Sequence, residues 1–253
     1  MQSSKIAVIT GANRGLGRSM ALHLARAGVD VVGTFHSNEG EAAEVVRELE
    51  TLGRRAAMLR LDVGQSATFP AFADTLRRTL EATFGRPGFD FLINNAGIAG
   101  HTPIADVTEA EFDALTNVHF KGPVFLTKRL LPLIVDGGRI INISTGLARF
   151  THVGPAIYAA NKGAIEVFTR YLAKELGPRR ITVNVVAPGA IATDFGGGRI
   201  RDNPELGRQI ASTIALGRVG VADDVGGAVA ALLSDGAGWI NGQRIEVSGG
   251  QNL

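Results

Sequence analysis

Along the chain, short β-branched apolar runs alternate with longer stretches in which apolar residues recur every three or four positions. The runs are Lys5–Thr10, Asp30–Thr34, Ala56–Leu61, Phe89–Ile93, Arg139–Ile143, Ile181–Val186 and Arg244–Val247. Apolar runs separated by helical stretches predict a parallel sheet with right-handed crossovers. Between the first two runs, Leu16, Met20, Leu24 and Ala27 keep helical spacing, and Gly28 supplies a stop. This is a strand–helix–strand unit of the size that binds half of a dinucleotide. A second long helix is expected from about Pro155 to Leu176.

A chain of 253 residues, 45% of them hydrophobic, can bury one large core, so a single domain over 1–253 is expected. The 26 basic and 24 acidic residues leave a net charge of only +2, and no basic run interleaves with aromatics. Nucleic acid is therefore not an expected partner. The absence of cysteine excludes disulfides and thiolate-ligated metals, and the five scattered histidines have no ligand spacing, so no metal is expected. Met1–Ser4 lead straight into the first strand run, and no window reaches the length of a membrane span. The expectation is a soluble cytoplasmic protein.

The stretch TGANRGLGRS, residues 10–19, joins the first strand to its helix. A triphosphate-binding loop needs four residues between its glycines, followed by Lys and Ser or Thr. Gly11 and Gly15 enclose three, and Arg18 with Ser19 follow Gly17, so that reading fails. Gly11, Gly15 and Gly17 instead space as G-x-x-x-G-x-G, which lets backbone approach a pyrophosphate at a helix N-terminus. A ligand-free glycine turn is the alternative.

Tyr158 and Lys162 fall four apart on the second long helix and share a face. An ammonium beside a phenol favours the ionised form and lowers its pKa, so such a tyrosine can exchange a proton with a carbonyl or alcohol oxygen. Ser144 ends a strand at its carboxyl edge, where its hydroxyl could bond the same oxygen. Plainer readings are a packed ring beside a solvated lysine, and a serine that caps the strand.

Thr10–Gly17 as T-G-x-x-x-G-x-G, Asn94–Gly97 as N-N-A-G and Tyr158–Lys162 as Y-x-x-x-K, continuing through Pro188, Gly189 and Thr193, resemble the short-chain dehydrogenase/reductase family over nearly the whole chain. The 3-oxoacyl carrier-protein reductases are among the members it is similar to. The resemblance implies an α/β fold: a single Rossmann-type domain, doubly wound, with about seven parallel strands and helices on both faces. It implies hydride transfer between a nicotinamide and a carbonyl or secondary alcohol, with Tyr158 as proton donor or acceptor. Asn117 joins Ser144, Tyr158 and Lys162 as the fourth catalytic member, helping to hold a water that links Lys162 to solvent; by composition alone it is equally a polar residue disturbing a helix.

For the cofactor, the resemblance implies contacts from Gly11, Asn13, Arg14, Gly15, Leu16 and Gly17 in the loop, and from Tyr158 and Lys162. Asp62 and Val63 fall beside the adenine, Asn94, Ala96 and Gly97 under the adenosine ribose, and Pro188, Gly189, Ile191 and Thr193 around the nicotinamide. Asp62 could instead stop a strand, and Asn94 with Asn95 could brace the sheet. Thr34-Phe35-His36-Ser37 carries no carboxylate before Glu39, and Arg14 stands in the loop, so NADP(H) is favoured over NAD(H), with His36 near the 2′-phosphate.

Leu147, Phe150, His152 and Ile191 are expected to line a partly apolar substrate pocket, under a lid over about 194–205 that carries Arg199 and Arg201 as exposed charges. Arg129, Arg170 and Lys174 are candidates to meet an acidic carrier protein. Trp239 is expected to pack, and the C-terminal region with the helices bearing Phe125 and Phe168 to form a homo-tetramer or a dimer. The alternatives to a reductase of small carbonyl compounds are a non-catalytic dinucleotide-binding sensor or scaffold and an NAD-dependent alcohol dehydrogenase.

Overall fold

The structure, a computed structural model, describes residues 4–253. Its strands are β1 (Ile6–Ile9), β2 (Asp30–Phe35), β3 (Ala56–Arg60), β4 (Phe89–Asn94), β5 (Ile134–Ile143), β6 (Thr182–Pro188) and β7 (Arg244–Val247). Helices α1 (Gly15–Arg26), α2 (Glu39–Thr51), α3 (Phe69–Thr79), α4 (Glu109–Thr116), α5 (Gly122–Leu130) and α6 (Ala156–Leu176) alternate with them. Helices α7 (Arg199–Asp202), α8 (Pro204–Ala211) and α9 (Ala222–Leu232) lie between β6 and β7. Every predicted strand run carries a strand, and the predicted long helix begins at Ala156.

All seven strands are parallel in the order β3-β2-β1-β4-β5-β6-β7. This is the doubly wound Rossmann arrangement. The order reverses between β1 and β4, which opens a crevice at their carboxyl ends. Alternation of side chains feeds two cores. Ile6, Val8, Leu92 and Ile140 pack under α3, α5 and α6, whereas Ala7, Ile9, Ile93, Ile141 and Ile143 pack under α1, α2 and α9.

Two local irregularities bear on the site. A widened π-turn over Asn117–Lys121 joins α4 to α5, so the three segments run on as one distorted helix. β5 starts well before the predicted Arg139, because Gly137 (φ +80°) and a register shift against β4 carry the chain through a glycine pair that breaks the apolar pattern.

Trp239 corrects the packing expectation: it is 99% exposed. It follows the short turn Asp235–Ala237 after α9. Among the described residues no helix is long and apolar enough to cross a membrane, and no cluster of His, Asp and Glu has metal-binding geometry.

Candidate active site

The β1–α1 turn is built by backbone geometry. Gly11 takes φ +66°, a left-handed conformation that side chains resist, and a Cβ on Gly17 would lie 2.0 Å from the Gly11 carbonyl oxygen. The α1 N-terminus therefore folds directly onto the loop. Its cap residue, Arg14, is extended and supplies no capping side chain, and the first turn of α1 holds no acidic residue. Uncapped N–H groups at the positive end of a helix suit a phosphate.

Neighbouring residues tie this loop down. Thr10 Oγ1 accepts from the N–H groups of Asn95 (2.9 Å) and Ala96 (3.0 Å), and Asn95 Nδ2 donates to the carbonyls of Thr10 (2.9 Å) and Gly11 (3.1 Å). Beside it, a cleft of about 290 Å³ is lined by Asn13, Arg14, Gly15, Arg18, Glu41, Glu44 and Glu48. Asn13 donates to Glu41 at 2.8 Å and Arg18 pairs with Glu48, whereas Arg14 is exposed and forms no ion pair among the described residues. His36, just past β2, sits 3.7 Å from Asp62 Oδ2, and the other Asp62 oxygen accepts from Gly64 N–H at 2.8 Å. The space, the free cation and the uncapped helix fit a phosphorylated dinucleotide.

Leu16 and Ile191 pack on the α1-side core and Val63 on the α6-side core. Gly189 is pressed against the chain after β7, where a Cβ would lie 2.7 Å from Ser248 Cβ, and Thr193 Oγ1 accepts from Phe195 N–H. Pro188 ends β6 beside this segment. The Asn94 side chain points into the sheet, donating to Asn142 Oδ1 (2.8 Å) and Thr127 Oγ1 (3.1 Å), which is the sheet-bracing alternative.

The catalytic floor brings Tyr158 and Lys162 together, with Lys162 Nζ 5.8 Å from the phenol centroid. Lys162 is buried and donates to the Ile143 carbonyl at 2.7 Å. Burial pushes its pKa down to about 7. Tyr158 moves opposite to the expectation: burial pushes its phenol up to about 12, outweighing a hydrogen bond with the Thr145 side chain that lowers it. The neighbouring amine, itself desolvated and turned to a carbonyl, does not offset that burial. The phenol is accordingly protonated at neutral pH, the state a proton donor requires.

Two expected members are displaced. Ser144 shares side-chain parity with Ile140 and Asn142, so its hydroxyl lies under α6 and donates to Glu166 Oε1 at 2.6 Å. Arg244 holds that same carboxylate oxygen at 2.8 Å. The hydroxyl that reaches Tyr158 belongs to the next residue, Thr145, whose Oγ1 also accepts from Leu147 N–H at 3.3 Å. Asn117 opens the π-turn; its carbonyl takes the Gly122 N–H, and its side chain makes no hydrogen bond among the described residues. The side chain packed at the site is His119, edge-on to Tyr158 with ring centroids 5.0 Å apart. Gly97 leaves room for it, since a Cβ there would lie 2.8 Å from His119 Cε1. Strand parity was the available clue to Thr145; for His119 the π-turn shifts helical phase, and nothing in the residue spacing announces it.

Above the phenol, Phe195 lies 6.1 Å from the Tyr158 ring, Phe150 meets His152 edge-on at 5.7 Å, and Ile98 and Val153 are exposed. The glycines Gly196–Gly198 all take positive φ, and Arg201 pairs with Asp194 and Asp202 beneath the short helix α7.

The family model described as enoyl-(acyl carrier protein) reductase matches residues 11–252. The chain belongs to the short-chain dehydrogenase/reductase family. It is similar to the hydroxynaphthalene reductase-like protein Arp2 of Metarhizium brunneum, 34% identical over 98% of this chain and 95% of that one. Among solved structures of the family it resembles the promiscuous reductase LugOII, described as catalysing keto-reduction at C1 during lugdunomycin biosynthesis (39% identity, TM-score 0.94, 99% of each chain). It also resembles the angucycline C-6 ketoreductase LanV with bound NADP (35% identity, TM-score 0.94, 99% of this chain and 96% of that one).

Proposed function

We propose that this short-chain dehydrogenase/reductase is an NADPH-dependent ketoreductase acting on fused-ring aromatic ketones. The observation that carries the reading is a protonated Tyr158, bonded by Thr145 and flanked by Lys162, at the carboxyl edge of the sheet beside a glycine turn shaped for phosphate. When bound, the reduced nicotinamide supplies the hydride. The chain's own residues do the rest. The α1 N-terminus meets the pyrophosphate charge, and Arg14 with His36 recognises the 2′-phosphate, where no carboxylate ends β2. Thr145 hydrogen-bonds the substrate oxygen, and Tyr158 transfers its phenolic proton to that oxygen as the alcohol forms. Lys162 supports the phenolate left behind.

Phe195 beside the Tyr158 ring, with Phe150 and the exposed Ile98 and Val153 from the neighbouring loops, supplies apolar side chains that suit an aromatic ring system. The likeness to a hydroxynaphthalene reductase-like protein and to an angucycline ketoreductase supports the substrate class. Phe112, Phe125, Val167 and Tyr171 on α4–α6, with Trp239, form exposed apolar surface suited to a second copy of this chain, supporting a homo-oligomer.

The test is NADPH and NADH oxidation followed by absorbance against hydroxynaphthalenes, polycyclic ketones, aliphatic ketones and 3-oxoacyl thioesters. We expect NADPH-dependent turnover of the aromatic compounds, and a loss of about 10²–10⁴ in kcat for Tyr158→Phe with cofactor affinity retained. Turnover of thioesters alone would move the substrate to a carrier-bound acyl chain. Tight cofactor binding with no turnover would favour the sensor.

A further inference from the structure

Thr145, whose hydroxyl reaches Tyr158, stands where the chain leaves the sheet: the Ser144 N–H bonds the Val186 carbonyl at 2.8 Å, and the short turn Gly146–Ala148 follows. The edge strand β7 reaches across to hold that turn. Arg244 on β7 uses all three guanidinium nitrogens: Nε donates to Glu166 Oε1 at 2.8 Å, Nη1 to Glu246 Oε2 at 2.8 Å and Nη2 to the Thr145 carbonyl at 3.1 Å. Glu246, two residues along and so on the same face, also accepts from Arg149 Nε (2.9 Å) and Nη2 (2.8 Å) and from the Ser248 hydroxyl (3.0 Å). Arg149 lies just past the turn, and its other hydrogens hold the Asn252 carbonyl at 3.0 Å and the Gln251 carbonyl at 2.6 Å. Charges thus alternate along a row Glu166–Arg244–Glu246–Arg149 that grips the turn at both ends. The first member of the row stands on α6, the helix of Tyr158 and Lys162.

We propose that Arg244 and Glu246 are positioning residues for the Thr145 hydroxyl: neither belongs to the proton-transfer set, but the row they form fixes the Thr145 turn against the helix that carries Tyr158. Exposed ion pairs contribute little, because water competes for them and long side chains must be ordered. Here the Glu166 side chain is 13% exposed and that of Glu246 20%, and each Glu246 oxygen accepts from two donors, so the row is a frame rather than a solvated pairing. The bonds from Arg149 hold the Glu246 carboxyl down at about 2, so the anion persists through neutral pH. Ser144 adds only a hydroxyl at the Glu166 end, and the row outlasts its loss. The kinetic consequence rests on the ketoreductase reading; the structural one rests on geometry alone.

The experiment compares Glu246→Gln with the wild type by crystal structures of the cofactor-free protein and by steady-state kinetics, the latter in both the native and the Thr145→Ala background. Glutamine keeps the volume but gives up the charge and replaces one accepting oxygen with a donor. We expect the Thr145 turn to move by about 1 Å relative to Tyr158, which lowers kcat by about 10–10²-fold and leaves KM for NADPH unchanged. On Thr145→Ala the same substitution costs nothing further in kcat, since no hydroxyl is left to misplace. Arg244→Lys keeps the cation but cannot fork to three acceptors; it gives the same pattern and serves should Glu246→Gln fail to fold. A turn that stays in place in the variant structures, or a kcat loss equal in both backgrounds, overturns the proposal. A wild type that reduces no ketone defeats the ketoreductase reading instead, and the crystal structures then decide this one alone.

Discussion

The turn between β1 and α1 and the floor formed by β5, the π-turn and α6 are both parts of one site, yet they are specified differently. In the turn, backbone does the positioning: Gly11 supplies a left-handed φ, and Gly17 lies so close to it that a Cβ would fall 2.0 Å from the Gly11 carbonyl oxygen. Glycine spacing in the sequence is therefore the structure, and the loop lies where its motif puts it. In the floor, side chains do the positioning, and a one-residue step on a strand reverses the face a hydroxyl sees. Ser144 and Thr145 are chemically alike neighbours with opposite surroundings, one tied to Glu166 and Arg244, the other to Tyr158. A site made of backbone is legible to the residue. One made of side chains is legible only to the turn.

The strongest way to break that distinction is to remove the two hydroxyls separately. Thr145→Ala lowers kcat by about 10²-fold, the scale of one lost donor to a reacting oxygen. Ser144→Ala leaves kcat close to wild type and costs about 1 kcal/mol in urea unfolding, the value of a typical hydrogen bond. Steady-state kinetics and equilibrium denaturation on the pair decide it, and the reverse pattern would return the catalytic role to Ser144.

A smaller effect sharpens the backbone side. Arg14→Ala raises KM for NADPH about tenfold, or ~1.4 kcal/mol, while KM for NADH holds, since the lost contact is to the 2′-phosphate alone. Equal losses with both cofactors would make Arg14 a general loop charge.

A separate effect is in stability against pH. Burial pushes Lys162 down to about 7 in the folded protein from the ordinary lysine value of 10.5, so between these the unfolded chain binds the extra proton and stability rises with pH. Tyr158, raised from 10.0 to about 12, reverses the trend above about pH 10, because there only the unfolded phenol ionises. The urea midpoint accordingly climbs from about pH 7 to about pH 10, and Lys162→Met flattens the climb. A wild-type midpoint independent of pH across that window would contradict the burial of the lysine.

Fold was the most legible level. Each β-branched run became a strand because strands buried on both faces need unbroken apolar sequence, and α6 kept its spacing from Ala156 to Leu176. Legibility failed where local rules yield to packing. Gly137 and Gly138 hid the first half of β5, and of the two readings open for Asn94 its side chain takes the bracing one, to Asn142 and Thr127. Asn117, named from the resemblance, opens the π-turn, which adds a residue to the helical repeat, and the side chain packed on Tyr158 is that of His119 two residues on. Trp239 failed differently, since apolar character favours burial without naming the surface that does the burying.

That indole is also the only tryptophan in the chain. The molecule thus carries a single tryptophan fluorophore, excitable at wavelengths its two tyrosines do not absorb and bathed in solvent when the chain is alone. Its emission reads out whatever closes over the turn before β7 and is largely blind to the chemistry at Tyr158, so association and catalysis can be watched on separate optical channels without a label.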